Sequence, residues 1–534
     1  MRALTGGEAV VEALAAEGFD TLFGLPGVQN DWLYNALFDA QDRIRVVHTR
    51  HEQGAMYLGL GYALATGRPG LVNVVPGPGV LNAGAGLATA YALGAPVLLL
   101  AGQIPSASIG RGAGVLHELP DQLGMLRSLT KWAARIDSPA GAPGQVALAL
   151  QQLRSGRPRP VALEVPMDVL ERRAQVTLPP PRLPELTLPV DTDRIEEAAK
   201  LLGAATSPMI IVGGGAHGVA PGVRRLAELI EAPVVSYRSG RGIADSRDYH
   251  SLAQPAARPL WPDADVVLLL GTNARVPLQK WPADAERKIV RVDVDAAAMA
   301  TIRRPDVGIT ARLEDALPLL TDRVEAHNRA RPSRADELLA ARKAWEQRSA
   351  VLEPQLSYLA VIRDALGEDG VFVDELTQVG FASRITFPVY HPRTFITTGY
   401  MGTLGYGFPT ALGVKAARPD VPVISVTGDG GFLFGSSELA TAVQHGIGLV
   451  TVVFNNNQYG NVQQMQRRVY GNRVIATDLV NPDFVALSEA FGAEAFRVSS
   501  PGELAVVLPK AVESGQPCVV EVQVGDMPSV DQFR

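Results

Sequence analysis

The sequence predicts an α/β protein made of three doubly wound parallel-sheet domains. Short runs rich in Val, Ile and Leu alternate with helix-length segments along almost the whole chain, the pattern of strands buried on both faces. A Pro-rich stretch and a charged stretch interrupt that alternation and divide it into three blocks. With 534 residues, 47% apolar and 19% charged, the chain is too long for one ordinary domain and apolar enough for several cores.

The opening MRALTGGEAVVEALAAEGFD reads as a capped amphipathic helix, not a signal peptide. Strand-like runs follow at 21–27 (TLFGLPG), 46–53 (VVHTRHEQ), 71–79 (LVNVVPGPG), 96–105 (PVLLLAGQIP) and 160–166 (PVALEVP), with helical segments at 55–67 and 80–95. Leu178-Pro179-Pro180-Pro181-Arg182-Leu183-Pro184 continues neither element type, so the first domain is set at 1–178. Similar alternation from PMIIVGGGAHG at 208–218 to KIVRVDVD at 288–295 defines a central domain at 190–330. Its Gly213-Gly214-Gly215 lacks the GxGxxG spacing, and Asp293 and Asp295 come too late to meet a ribose, which favours a plain Rossmann-like domain. The charged stretch from Thr321 to Leu352 reads as a solvated connector. The last domain, 355–534, has strand-like runs VFVDE, TFITT, VPVISV, LVTVVF and CVVEVQV.

Charge and cysteine content narrow the function classes. The 49 basic and 55 acidic side chains give a net charge of only −6, which does not favour nucleic acid or an acidic membrane surface as partner. No apolar run reaches the ~20 residues of a membrane span. The single Cys518 cannot form an internal disulfide, and a reduced cytoplasmic setting is expected.

The most informative stretch runs from Val421 to Gly460. An apolar run ends in Gly428-Asp429-Gly430-Gly431, a helix-like segment headed by Ser436 and Ser437 follows, and a second apolar run delivers Asn455-Asn456-Asn457. A parallel crossover brings adjacent strand ends together, so Asp429 and Asn456 converge across the 26 residues between them. One carboxylate, an amide oxygen and approachable glycine amides suit a hard cation carrying a phosphorylated group. GDG alone is more often only a tight turn; the Asn run after it makes the pattern specific. This stretch resembles the thiamin diphosphate motif of the acetolactate synthase and 2-oxo-acid decarboxylase superfamily.

The resemblance extends through FGLPG at 23–27, Pro76-Gly77-Pro78-Gly79 with Asn82, LLLAGQIP and TKW at 130–132. It implies a pyrimidine-binding, a central and a diphosphate-binding domain, and a homo-oligomer, dimer or dimer of dimers, in which Glu52 of one subunit meets Asp429 and Asn456 of another. Arg50-His51-Glu52-Gln53-Gly54-Ala55 resembles the run that carries the cofactor-activating glutamate; read locally, Glu52 is equally a helix N-terminal carboxylate. Magnesium is assigned to Asp429, Asn456 and the carbonyl of Gln458. Cofactor contacts are assigned to Pro26, Glu52, Asn82, Gln378, Gly428, Gly430, Gly431, Asn456 and Tyr459. Gly402 would offer its carbonyl to the pyrimidine, and Leu404, 25 residues before Asp429, is the wedge that bends the cofactor.

Departures from the relatives bear on the substrate. Val28 stands where acetolactate synthases place a small residue and benzoylformate decarboxylases a serine, and Val75 replaces the latter's histidine. His117 occupies a loop position that carries glutamine in acetolactate synthases and in benzaldehyde lyase; it is either solvated or a proton shuttle, with Gln103 a second steering residue. Met465 replaces a tryptophan of the anabolic enzymes, and no flavin-binding insertion is recognisable, so no flavin is expected. The implied reaction is decarboxylation of a 2-oxo acid with ligation to a second carbonyl compound. Simple decarboxylation, 2-hydroxy-ketone cleavage and an inactive assembly subunit are the alternatives.

Overall fold

The computed structural model describes residues 1–533. Three sheets of six parallel strands, each flanked by helices, form its framework. In the first, the spatial order is Arg45–His48, Thr21–Gly24, Gly70–Val74, Val97–Gln103, Val161–Pro166, Trp132–Arg135. The last runs Phe395–Ile396, Val371–Val373, Val423–Gly428, Val450–Asn455, Cys518–Gln523, Glu494–Val498. Numbered within each domain, both orders are 2-1-3-4-6-5. The central sheet has the different order 3-2-1-4-5-6, from Ser251–Ala253 across to Val307–Thr310, which is the dinucleotide-fold order.

The central strands are apolar because helices cover both faces: every residue of Gly70–Val74 and Val97–Gln103 is buried. Trp132–Arg135 and Glu494–Val498 are edge strands that hydrophobic alternation did not mark. Each is only partly buried, so neither needed a continuous apolar run. The N-terminal helix, Gly6–Ala16, is capped by Thr5, whose side chain accepts from the Glu8 amide while Glu8 reaches back to the Thr5 amide. The residues before it add a short antiparallel pair, Arg2–Thr5 with Arg173–Val176.

The stretch from Thr321 to Leu352 is more than the solvated connector expected from its charge. In the helix Ala335–Ser349, Leu338 and Trp345 are 0% and 5% exposed, and the Trp345 indole donates to the Ile385 carbonyl at 3.0 Å. Two apolar anchors within a charged sequence are too sparse to read as a buried face. No helix among the described residues is long and apolar enough to cross a membrane.

The first and last domains share one apolar core, in which Met56 and Leu60 join Phe408 and Leu412. The helices Glu52–Thr66 and Gly407–Ala417 approach backbone to backbone. A Cβ on Gly61 would stand 2.0 Å from the Thr410 carbonyl oxygen, and one on Gly413 would stand 1.9 Å from that of Leu58. This contact anchors the helix that begins with Glu52.

Candidate active site

The end of Val423–Gly428 lies beside the end of Val450–Asn455, with Gly428 in register with Phe454. Asp429 and Asn456 therefore leave neighbouring strands at the same edge. Asp429 is 3% exposed, and its partners are amides: Asn481 Nδ2 lies 2.8 Å from Oδ2, and the backbone N–H groups of Gly430, Asn457 and Gln458 point to the carboxylate. Burial pushes the Asp429 carboxyl up from its ordinary value, and these donors oppose the rise. Asn457 turns the chain with φ 54°, and the Tyr459 amide is tied to the Thr477 carbonyl at 2.8 Å.

The glycines of this turn are required by contact. A Cβ on Gly430 would stand 2.5 Å from the Tyr459 ring, and one on Gly431 would stand 2.6 Å from Glu375 Oε1. Glu375, at the end of Val371–Val373, accepts from the Gly405 amide at 2.5 Å and from the Thr427 hydroxyl, joining the GDG turn to the loop that contains Gly402 and Leu404. Gly402 has φ 60°, and a Cβ there would meet only the Leu376 side chain, at 3.9 Å. Gln378 Nε2 lies 3.3 Å from Gln464 Oε1, and its own Oε1 is buried without a partner.

A second group assembles at the corresponding edge of the first sheet. Glu52 opens the helix Glu52–Thr66, and Asn82 Nδ2 donates to its Oε2 at 3.0 Å. Val75 fills the space between two glycines: a Cβ on Gly27 would meet its Cγ1 at 2.5 Å, and one on Gly79 its Cγ2 at 2.7 Å and Glu52 Oε1 at 3.4 Å. Pro26 and Val28 lie on the adjoining exposed loop, Val28 at 58% exposure. His117 reaches the same place from the loop after Val97–Gln103, its carbonyl oxygen 2.6 Å from where a Gly77 Cβ would be.

His117 has φ 68°, a conformation that costs a non-glycine residue about 1–3 kcal/mol and persists only where surroundings enforce it. Its Nδ1 lies 3.1 Å from Gln29 Oε1, and Gln29 Nε2 donates to the Leu116 carbonyl at 3.1 Å. Because that carbonyl needs a donor, the amide oxygen faces the ring, and the neutral imidazole holds its proton on Nδ1. Nε2 is left as a proton acceptor.

Gln103 does not share this freedom. Its Nε2 donates to Glu164 Oε2 at 2.9 Å and its Oε1 accepts from the Ile104 amide at 2.8 Å. Glu164, 0% exposed, also binds Gln122 Nε2 at 3.0 Å and Arg135 Nε at 2.6 Å, while Gln122 Oε1 holds the Gly77 amide at 2.9 Å. Gln103 is thus a member of a buried scaffold behind the site, with both ends of its amide engaged. Strand apolarity hid this network, since Glu164 lies in the middle of PVALEVP.

Gln29, Asn481, Glu375 and Glu438 were not singled out from sequence. Glu375 was legible as the acid that ends VFVDE, and Asn481 as the first residue of a helix-starting NPD; Gln29 and Glu438 gave no local signal.

The two edges together supply a buried carboxylate held by amides, an orphaned Gln378 oxygen, a glycine turn closed to side chains, and a separate glutamate paired with asparagine. This donor set fits a cation-bound diphosphate at one edge and a nitrogen heterocycle at the other. Three family models match in order: the N-terminal TPP binding domain of thiamine pyrophosphate enzymes over 4–125, their central domain over 195–320, and their C-terminal TPP binding domain over 377–522. The chain belongs to the thiamine pyrophosphate enzymes. It is an acetolactate-synthase-like member, dependent on that cofactor. It is 32% identical to an acetolactate synthase large subunit of Haemophilus influenzae, over 96% of this chain and 92% of that one. Against the catalytic subunit of the mitochondrial acetolactate synthase of Saccharomyces cerevisiae the identity is 30%, over 98% and 81%. A protein of Pseudomonas aeruginosa named as a probable 2-ketoarginine decarboxylase is 34% identical, over 92% and 89%.

Proposed function

We propose that this thiamine pyrophosphate enzyme, with magnesium, decarboxylates a 2-oxo acid and joins the resulting acyl unit to a second carbonyl compound. The observation that carries this reading is the furnishing of the pocket edge: one histidine with an accepting Nε2 beside Val28 and Val75, with no second histidine next to it. The paired histidines of dedicated decarboxylases, which return a proton to the acyl unit, have no counterpart in the sequence.

In this reading Asp429, Asn456 and the Gln458 carbonyl hold magnesium. The amides of Gly430 and Gly431, with Gly428, Gln378 and Tyr459 nearby, take the diphosphate. Gly402 and Leu404 orient the cofactor, and Pro26, Glu52 and Asn82 meet its pyrimidine, Glu52 holding the proton that activates it. The bound cofactor supplies an electron sink for loss of carbon dioxide. Val28, Val75, Leu404 and Met465 form an apolar wall that disfavours the charged carboxylate before decarboxylation. His117 Nε2 takes or returns a proton at the substrate oxygen.

The complete site lies between two copies of the chain, in a dimer or dimer of dimers. Supporting this, the helix Gly460–Val469 and the loop after it expose Val462 (52%), Val469 (59%), Tyr470 (61%) and Ile475 (74%) next to Met465, a grouping that calls for a covering surface. The buried, unpaired Cys518 agrees with a cytoplasmic setting.

The Pseudomonas relative favours a second reading, decarboxylation alone, in which His117 returns the proton that a carbonyl acceptor would otherwise replace. Incubation with thiamin diphosphate, magnesium and a panel of 2-oxo acids, with and without aldehyde acceptors, separates the two. Carbon dioxide with hydroxy ketones supports ligation, and carbon dioxide with free aldehyde alone supports the second reading. Neither turnover nor cofactor binding would remove both.

A further inference from the structure

A buried carboxylate, that of Glu438, links the diphosphate half of one chain to the residues that lead into Glu52. It ends the turn Ser436–Glu438, which follows the glycine turn of the diphosphate half, and is 1% exposed. Its oxygens accept the amide hydrogens of Arg50 at 3.2 and 3.1 Å and of His51 at 3.0 Å, and the Thr441 hydroxyl at 2.5 Å.

Arg50 and His51 immediately precede Glu52, at the entry of the helix where backbone amides have no intrahelical acceptor. The carboxylate also explains the glycine of RHEQGA, since a Cβ on Gly54 would stand 2.2 Å from Glu438 Oε1. Burial pushes the Glu438 carboxyl up, and Thr441, the two amides and the His51 side chain oppose it. The Arg50 guanidinium is engaged elsewhere, on Gln444 Oε1 at 2.8 Å. A desolvated carboxylate directed at two backbone amides is an expensive way to hold a loop unless its placement matters.

We propose that Glu438 is a positioning residue for Glu52: by holding the amides of Arg50 and His51, the diphosphate domain fixes how the chain presents the Glu52 carboxylate. This rests on the reading of Glu52 as the acid that activates the cofactor.

The test uses the full-length protein loaded with thiamin diphosphate and magnesium, and reads hydrogen–deuterium exchange at the cofactor C2 by quenched-flow NMR beside cofactor affinity by fluorescence titration. Glu438→Ala is expected to slow exchange about tenfold or more while affinity stays within about threefold, and Glu438→Gln, which keeps an accepting oxygen, to restore exchange to within about threefold of wild type. Should Glu438→Ala not fold, Glu438→Asp withdraws the carboxylate by one methylene and is expected to slow exchange similarly. Wild-type exchange in Glu438→Ala or Glu438→Asp, or no rescue by Gln, overturns the proposal. A wild-type protein that binds cofactor without accelerating C2 exchange removes the Glu52 reading itself, and the proposal with it.

Discussion

His117 Nδ1 lies 3.1 Å from Gln29 Oε1, and the other end of the same amide is committed to the Leu116 carbonyl. Gln29 thereby sets the imidazole tautomer. Gln29→Leu is expected to lower kcat about tenfold with cofactor affinity unchanged, and His117→Ala about a hundredfold. Adding Gln29→Leu to His117→Ala should cost nothing more, because the glutamine acts only through the ring. Imidazole 15N shifts provide a check without turnover: a protonated Nε2 in the resting wild-type protein would refute the assignment.

Glu52 and Asn82 make a pair at 3.0 Å. Glu52→Gln removes the transferable proton and is expected to reduce cofactor C2 exchange about 10²–10⁴-fold while the diphosphate still binds. Asn82→Ala only frees the carboxylate to rotate, and a loss of about tenfold is expected. Exchange rates in the two purified variants give the comparison, and equal losses would mean that Asn82 does more than orient its partner.

The fold and the convergence of the Asp429 and Asn456 turns were legible because both are written in local pattern. Strands buried on two faces must be apolar, and Asp429 and Asn456 must meet once Val423–Gly428 and Val450–Asn455 pair in parallel. The rest depends on contacts between distant segments. Glu438 reaches Arg50 and His51 across 388 and 387 positions, and Gln29 reaches His117 across 88; no periodicity encodes either. Gln103 is visible in sequence at the end of LLLAGQIP, whereas its engagement by Glu164 is not.

The Asn481 amide nitrogen stands among three oxygens, 2.8 Å from Asp429 Oδ2, 3.1 Å from Asn455 Oδ1 and 3.2 Å from Asn457 Oδ1. It orients Asp429, one of the proposed magnesium ligands, and ties it to the asparagines on either side of Asn456. Asn481→Leu is expected to weaken magnesium-dependent cofactor retention about 10–100-fold, read by titrating magnesium at fixed thiamin diphosphate. Retention equal to wild type would show that the backbone amides suffice.

Gly413 faces the Leu58 carbonyl oxygen at a distance that admits no Cβ, 1.9 Å. Gly413→Ala must separate the helices Glu52–Thr66 and Gly407–Ala417, and a loss of about 1–3 kcal/mol in urea unfolding is expected. Gly144, with nothing within 4 Å of its Cβ position, lies in the helix Ala142–Arg154, and Gly144→Ala should be neutral or slightly stabilising. Similar losses in both would point to backbone flexibility in place of the helix crossing.

Glu375 gives the protein a pH signature near neutrality. Its carboxylate is 1% exposed, and burial pushes it up to about 7 from 4.5 against the opposing hydrogen bonds of Thr427 and the Gly405, Gly407 and Tyr406 amides. A folded-state value above the unfolded one means that the folded chain keeps a proton between pH 4.5 and about 7 that the unfolded chain has lost. That stability is fully present below the unfolded value, declines as pH rises through the window, and is gone above about 7, a total of about 3 kcal/mol. Asp374, whose partner Arg384 lies 2.5 Å away, Asp429 and Glu438 are raised as well, so the contribution is read as a difference between proteins. Glu375→Gln keeps an acceptor for the Gly405 amide and carries no charge. Urea melts at pH 5 and pH 8 should therefore show a smaller loss of stability in the variant than in wild type. An unchanged loss would place the titration on one of the other three carboxyls, leaving Glu375 ionised throughout and held by Thr427 and its amide donors.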